Sequence, residues 1–239
     1  IAFALGTTRH GVGFTLINDE IGLFSHKRFS AQYAYQHSLW GGKLAGGLQI
    51  DMLSESVDGG KAETNDPNDP VFSGGDMSGS QFDASVGLFY THRRWYAGLA
   101  MQHLSAPKIS LGDKSELKVN SAYNFMAGYN IPTKYPFITL TPSVLLRYDG
   151  TDFRTDLTAR VKYSGEGRTL YGGVNYAPQY SIGAFFGFVF HGLDICYGYE
   201  ANTNGMGISA GNHEITLGYK VELNLGKKGR NAHKSVRWL

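Results

Sequence analysis

Apolar and polar residues alternate one by one along most of this 239-residue chain. A period of two puts successive side chains on opposite faces of a strand, so the chain is built for sheets with a different environment on each face. In 152–163, Phe153, Leu157, Ala159, Val161 and Tyr163 share one face with Thr155. Asp152, Arg154, Asp156, Thr158, Arg160 and Lys162 share the other. The same alternation runs through 81–91, 118–129, 137–148, 181–190 and 214–223. About twelve strands are expected, near 10–18, 24–37, 43–57, 81–92, 95–104, 118–130, 137–148, 152–163, 168–177, 181–190, 193–202 and 212–224, each as long as a tilted membrane strand of about 9–11 residues or longer.

Composition narrows the environment. Charged residues are 18% of the chain, against roughly 25% in an average soluble protein. There are 32 Gly, 15 Tyr and 14 Phe, and mean hydropathy is −0.24. The longest strongly apolar stretch, 184–190, is far short of the roughly 20 residues of a spanning helix. A membrane barrel needs no such stretch, because only alternate residues face lipid. The single cysteine, Cys196, sits in an apolar run and can build neither a disulfide framework nor a zinc site. The chain opens at Ile1 without a leader, and an exported protein requires one upstream, so the expectation is a start inside a longer product.

The connections sort by parity. The longest, 58–80, 105–117 and 203–211, follow the third, fifth and eleventh expected strands. Those after even strands are tight, as at Arg93-Arg94 and His191-Gly192, or turn-rich, as at 132–136 and 165–167. Barrels have short periplasmic turns and long outer loops, a sorting that a soluble β-sandwich has no reason to show. On this parity the C-terminus is periplasmic. Tyr90, Trp95, Tyr148 and Tyr163 lie near strand ends, where aromatic girdles meet the bilayer interface. Arg147, Arg154, Asp156, Arg160, Lys162, Glu214, Lys220 and Glu222 fall on the opposite, inward face. Their mixed sign suits charges that pair across strands in a structured lumen rather than a pore selecting one sign of ion.

Chemical motifs are sparse. Gly207-Ile208-Ser209-Ala210-Gly211 matches G-x-S-x-G, but a strand-like run follows where a hydrolase needs a helix. His213-Glu214 is not H-E-x-x-H, and no phosphate-binding glycine motif occurs. The acids of 58–80 suit calcium in kind but lack the spacing of a calcium loop, and a solvated outer loop is the simpler reading. The expectation is a non-enzyme with no catalytic, cofactor-binding or metal-binding residues.

Two regions follow from charge: a barrel over 1–225 and a basic tail over 226–239. The tail holds Lys227, Lys228, Arg230, Lys234 and Arg237 without an acid, and these residues account for the excess of 22 Lys and Arg over 20 Asp and Glu. With His233 and the terminal Trp238-Leu239 it forms a candidate docking segment for an acidic protein surface or anionic outer-membrane lipid. Nucleic acid is not expected below an outer-membrane barrel.

Gly11-Val12-Gly13-Phe14, then Asn18-Asp19 and Gly22, then Tyr33-Ala34-Tyr35, resembles the early part of PorP/SprF-type proteins. Gly211-Asn212-His213-Glu214-Ile215-Thr216-Leu217-Gly218-Tyr219 and the ending from Gly229 to Leu239 resemble that family's C-terminus. The resemblance implies a FadL-like outer-membrane barrel of the type IX secretion and gliding machinery of Bacteroidetes. It implies about fourteen strands once an N-terminal part is added. The implied partners are a periplasmic ring lipoprotein and its partner protein, a peptidoglycan-binding OmpA-like protein, and surface adhesins whose export or attachment the barrel assists. A porin or transporter for small or hydrophobic solutes is the other reading, and a soluble lectin-like sandwich a third.

Overall fold

The computed structural model describes residues 2–5, 8–59, 77–111, 115–165, 167–203 and 211–221. The expected alternation becomes one large antiparallel sheet. Its strands are β1 (Ala2–Leu5), β2 (Thr8–Ile21), β3 (Phe24–Leu39), β4 (Gly42–Val57), β5 (Met77–His92), β6 (Trp95–Gln102), β9 (Ala122–Tyr129), β11 (Ile138–Tyr148), β12 (Phe153–Gly165), β13 (Arg168–Ala177), β14 (Ser181–Phe190), β15 (Leu193–Asn202) and β16 (Asn212–Tyr219). They pair in that order, each with its neighbour in sequence, and the short β10 (Ile131–Pro132) pairs with β11. The remaining strands, β7 (Lys108–Leu111) and β8 (Ser115–Lys118), form a separate hairpin. This is the up-and-down wall of an antiparallel transmembrane β-barrel. Among the described residues no ladder joins β1 to β16.

One face of the wall is apolar and open. Phe14, Leu16, Leu48, Ile50, Phe82, Leu99, Val174, Phe186, Ile215 and Leu217 are each more than half exposed. A contiguous apolar surface of that extent is unstable in water and stable against lipid. Aromatics border it. Tyr90, Trp95, Tyr129, Tyr163, Phe190 and Tyr219 lie toward one set of strand ends, and Tyr123, Tyr148, Phe153 and Tyr176 toward the other. From Phe153 to Tyr163, ~34 Å of strand tilted by ~40° covers ~26 Å along the membrane normal, close to the apolar band of known barrels.

On β2 to β5 the strands run past this band, and their polarity inverts. The cross-strand row Leu16, Phe29, Met52 and Phe82 is apolar. The next row outward on the same face, Asn18, Lys27, Ser54 and Ser80, is polar. On the opposite face Leu53 and Val57 are now buried, with Ile109 and Leu111 of the β7–β8 hairpin against them and Leu23, Met77 and Val119 around the edge. The emergent strands and the hairpin make a small two-layer packing beyond the membrane. Each fully buried Leu, Ile or Val there contributes about 1.5–3 kcal/mol before the cost of ordering the hairpin. The expected 105–117 loop is therefore a folded hairpin, and the expected 118–130 strand starts only at Ala122, because Val119 is drawn into this cluster. The expected 58–80 connection shortens from its far side, since β5 begins at Met77.

The three longest connections, after β4, β6 and β15, leave from one end of the wall, but the short turns at 22–23, 149–152 and 178–180 share that end, so length sorts by parity only for the longest. The ends near 40–41, 93–94, 130–137, 165–167 and 191–192 lie on the other side of the wall. Trp40-Gly41 and His191-Gly192 have positive φ at both residues (47°, 73° and 48°, 85°), the backbone of a tight two-residue hairpin.

The abundant glycine has a packing cause. Tyr96 lies over Gly128 and Tyr171 over Gly187, each with ring atoms 2.4 Å from where a Cβ would stand. Phe89 covers Gly98 and Phe185 covers Gly173 in the same way, at 2.8 and 2.7 Å. An aromatic ring laid over a neighbouring strand's glycine shields its bare backbone and lets the wall bend.

Candidate functional site

The face opposite the lipid-facing surface carries the polar chemistry, and it is densest toward the long connections. Two clusters stand there, on opposite halves of the wall.

The first is built on β3, β4 and β5. Asp51 and Asp83 face each other across the β4–β5 ladder, and both are buried. Two carboxylates directly opposed repel unless each is compensated. Asp83 is met by His103 Nδ1 at 2.5 Å, and it accepts from the Ser105 hydroxyl at 2.9 Å and the Ser105 amide at 3.4 Å. Asp51 is held by neutral donors: the Ser30 hydroxyl at 2.5 Å, the Gln49 amide at 2.7 Å and the Ser85 hydroxyl at 3.4 Å. Gln32 extends the chain, donating to Gln49 at 3.0 Å and to Thr15 at 3.1 Å. Nearer the emergent end, His26 pairs with the buried Glu55. His103 and Ser105 lead directly into the β7–β8 hairpin, so Asp83 ties that hairpin's root to the wall. His103 and Ala106 have positive φ, 56° and 43°, an unfavourable backbone that persists only where surrounding contacts impose it.

The second cluster joins β11, β12, β14 and β15. Asp156 is buried and receives Arg154 Nε at 3.1 Å and Nη2 at 2.9 Å, with Arg147 Nη2 3.4 Å from its other oxygen. Arg154 Nη2 also reaches Glu200 at 3.4 Å, and Glu200 accepts from the buried Ser181 hydroxyl. The Arg154 guanidinium lies 5.3 Å from the Tyr180 ring centroid. Glu200 is three strands from Arg154, and such a meeting is what a concave face produces. At the adjoining turn, the amides of Asp152 and Thr151 and the Thr151 hydroxyl hold the Asp149 carboxyl below its ordinary range.

The other inward charges stand apart. Arg160 and Lys162 share the face of Asp156 farther down β12, are exposed, and make no ion pair among the described residues. Below them Tyr171 donates to Asp194 at 2.7 Å. Glu214 is exposed on β16, with the Thr216 hydroxyl 3.5 Å away. Lys220 follows β16, its amide bonded to the Gly192 carbonyl. Glu222 lies outside the described residues, as do the tail residues Lys227, Lys228, Arg230, His233, Lys234, Arg237, Trp238 and Leu239. So do Ser209 of the G-x-S-x-G match and residues 60–76 of the acidic loop.

Mid-depth on β2 to β6 the same face is a hollow of about 540 Å³ floored by small residues, among them Gly11, Gly13, Ala34, Gly47, Gly87 and Ala100. One half of the wall is thus short-chained while the other carries long charged side chains. Alternation with charge identifies Arg147, Arg154 and Asp156 from sequence, and the structure adds Asp51, Glu55, Asp83, His103 and Glu200. Their signal was a polar residue at an inward position of an alternating segment, and Asp83 showed it.

No curated protein gives a match to the chain. A family described as type IX secretion system membrane protein PorP/SprF matches residues 1–219, which is the whole of the strand wall and stops short of the basic tail. The chain belongs to the PorP/SprF family of type IX secretion system membrane proteins.

Proposed function

We propose that this protein is a non-enzymatic outer-membrane component of the type IX secretion and gliding machinery, an anchor rather than an open pore. In this reading the long connections face outward and the short turns and C-terminus face the periplasm. The barrel region, 1–225, fixes the protein in the membrane. The tail, 226–239, docks periplasmic partners through Lys227, Lys228, Arg230, His233, Lys234 and Arg237 with the Trp238-Leu239 anchor. The partners are the ring lipoprotein and its companion, together with a peptidoglycan-binding OmpA-like protein. The assembly assists export or surface attachment of adhesins.

The observation that carries the anchor reading is the inner face at the long-connection end. Its β4–β5 part is covered by the chain's own β7–β8 hairpin, and the charges of the two clusters there compensate one another. The test removes 226–239 from the full chain in cells. The truncated protein is expected to insert and fold as before but to lose co-purification with the ring lipoprotein in mild detergent. Co-purification at the level of the intact chain would remove the tail from the docking role. The porin or transporter reading draws support from the exposed, unpaired Arg160 and Lys162, which could line a path for anions.

A further inference from the structure

Charge is distributed unequally between the two rims of the wall. At the long-connection end the described residues mix signs, with Asp19, Glu20, Asp58, Asp149 and Asp152 beside the exposed Lys27, Lys108, Lys118 and Arg147. The short-turn rim carries Arg93, Arg94, Lys134 and Arg168, all exposed. Among the described residues of those turns there is no acid.

Arg168 sits against a lipid-facing aromatic, and Arg93, Arg94 and Lys134 adjoin such aromatics in the chain. The Arg168 guanidinium lies 5.6 Å from the ring centroid of Phe190, which points outward, and the His191 ring stacks on the same Phe190 at 4.0 Å. Arg93 and Arg94 form the tip between β5 and β6, directly before Trp95. Trp95 packs against Tyr90 at 5.3 Å and His92 at 5.8 Å. The Tyr90 hydroxyl reaches the next tip, donating to the Leu39 carbonyl at 3.0 Å and the Trp40 carbonyl at 3.3 Å. Lys134 adjoins Tyr135 and Phe137, which pack at 5.8 Å, and Phe137 meets Tyr163 at 5.2 Å. Each patch joins an aromatic seated at bilayer-interface depth to a cation at the strand tip.

The tips also bear backbone strain. Trp40, Arg93 and His191 have φ of 47°, 46° and 48°, where asparagine or glycine sits at lower energy.

We infer that the short-turn rim is a binding surface for the phosphate groups of anionic phospholipids in the leaflet it borders. Aromatic rings fix the depth, and the arginines and Lys134 bind the headgroup phosphates by charge-assisted hydrogen bonds. The placement of Arg168 against the outward Phe190, and of the other cations next to interfacial aromatics, favours lipid over a protein partner, because a headgroup is what stands beside a lipid-facing ring. The inference rests on the barrel spanning a bilayer and is independent of the tail's docking role.

The test uses the full chain in mild non-ionic detergent, with native mass spectrometry counting retained lipid. Phosphatidylglycerol, phosphatidylcholine and inorganic phosphate are offered in separate arms. Phosphatidylglycerol is expected to be retained as several molecules per chain and phosphatidylcholine not; inorganic phosphate should bind weakly, since it lacks the acyl chains that hold it at the rim. Arg93→Gln, Arg94→Gln, Lys134→Gln and Arg168→Gln combined should lower phosphatidylglycerol retention about tenfold. Arg160→Gln with Lys162→Gln, on the inner face, should leave it unchanged, which separates the rim from net charge. Circular dichroism verifies that each variant is folded. Equal retention of both lipids, or undiminished phosphatidylglycerol in the folded rim variant, overturns the inference. Loss of ring-lipoprotein co-purification with unchanged phosphatidylglycerol would assign the rim to a protein and overturn it equally.

Discussion

Arg154 supports the buried Asp156 on one side and reaches Glu200 on the other. Removing one partner of a buried ion pair costs more than the pair contributes, because the remaining charge is left without compensation. For a fully buried pair that cost is about 3–5 kcal/mol. Here Arg154 is 31% exposed and Arg147 stays near the other oxygen of Asp156, so Arg154→Met is expected to destabilise by about 1–3 kcal/mol. Adding Asp156→Asn should recover most of that loss, since it removes the stranded charge. Arg160→Gln should stay within about 0.5 kcal/mol of wild type, as Arg160 holds no partner among the described residues. Urea unfolding of the reconstituted protein reads all three. No change in Arg154→Met would show that the cluster does not stabilise the wall. Alternation alone put Arg147, Arg154 and Asp156 on one face. It left Glu200 out of the cluster because that contact spans 46 residues and three strands.

The β7–β8 hairpin is held at two points: its root by Asp83 and its body by the wall at Gly79. A Cβ at Gly79 would lie 2.2 Å from the Ser110 carbonyl oxygen and 2.8 Å from Ile109 Cγ2. The nearest obstacle is backbone, so Gly79→Ala must push the hairpin off the wall rather than turn a side chain aside. The expected result is about tenfold faster limited proteolysis within 103–119, with the strand content of the sheet unchanged, as local opening predicts. Equal cleavage rates would mean that the hairpin is not seated on Gly79. Asp83→Asn should act in the same direction and more weakly, because His103 loses its ionic partner while Ser105 keeps an acceptor. This element was hidden in the sequence for a physical reason. Its strands are four residues each, too short for periodicity to register, and they lie between loop-like residues. Val119 reads as the next residue of an alternating strand until the cluster that buries it is seen.

For the whole molecule the question is whether the wall encloses a usable path. Its inner face is packed over β4 and β5 at one end, carries a small-residue hollow on β2 to β6 at mid-depth, and on β12 bears Arg160 and Lys162, which make no ion pair among the described residues. In planar bilayers the intact chain is expected to give no large, stable conductance. Gly79→Ala should give brief openings if the hairpin obstructs the path. A steady, high conductance from the intact chain would favour the porin reading over the anchor. The proposed anchor role and the proposed lipid affinity of the rim are compatible, since a membrane anchor benefits from a fixed depth in the bilayer.

Sequence alone determined the period, and with it the strand wall, the side that meets lipid, and strand limits as close as 181–190 and 193–202. Those limits are local: Gly192 permits a two-residue turn, and alternation follows from chain geometry. It also placed the three longest connections at one end of the wall. Tertiary structure decided where the alternation changes meaning. The polarity of β4 inverts between Met52 and Leu53, because the face that met lipid now meets water and the opposite face now meets a hairpin. A strand's own residues do not state which solvent each face touches. That depends on where the bilayer ends and what folds back against the wall, and both are set by contacts far apart in the chain.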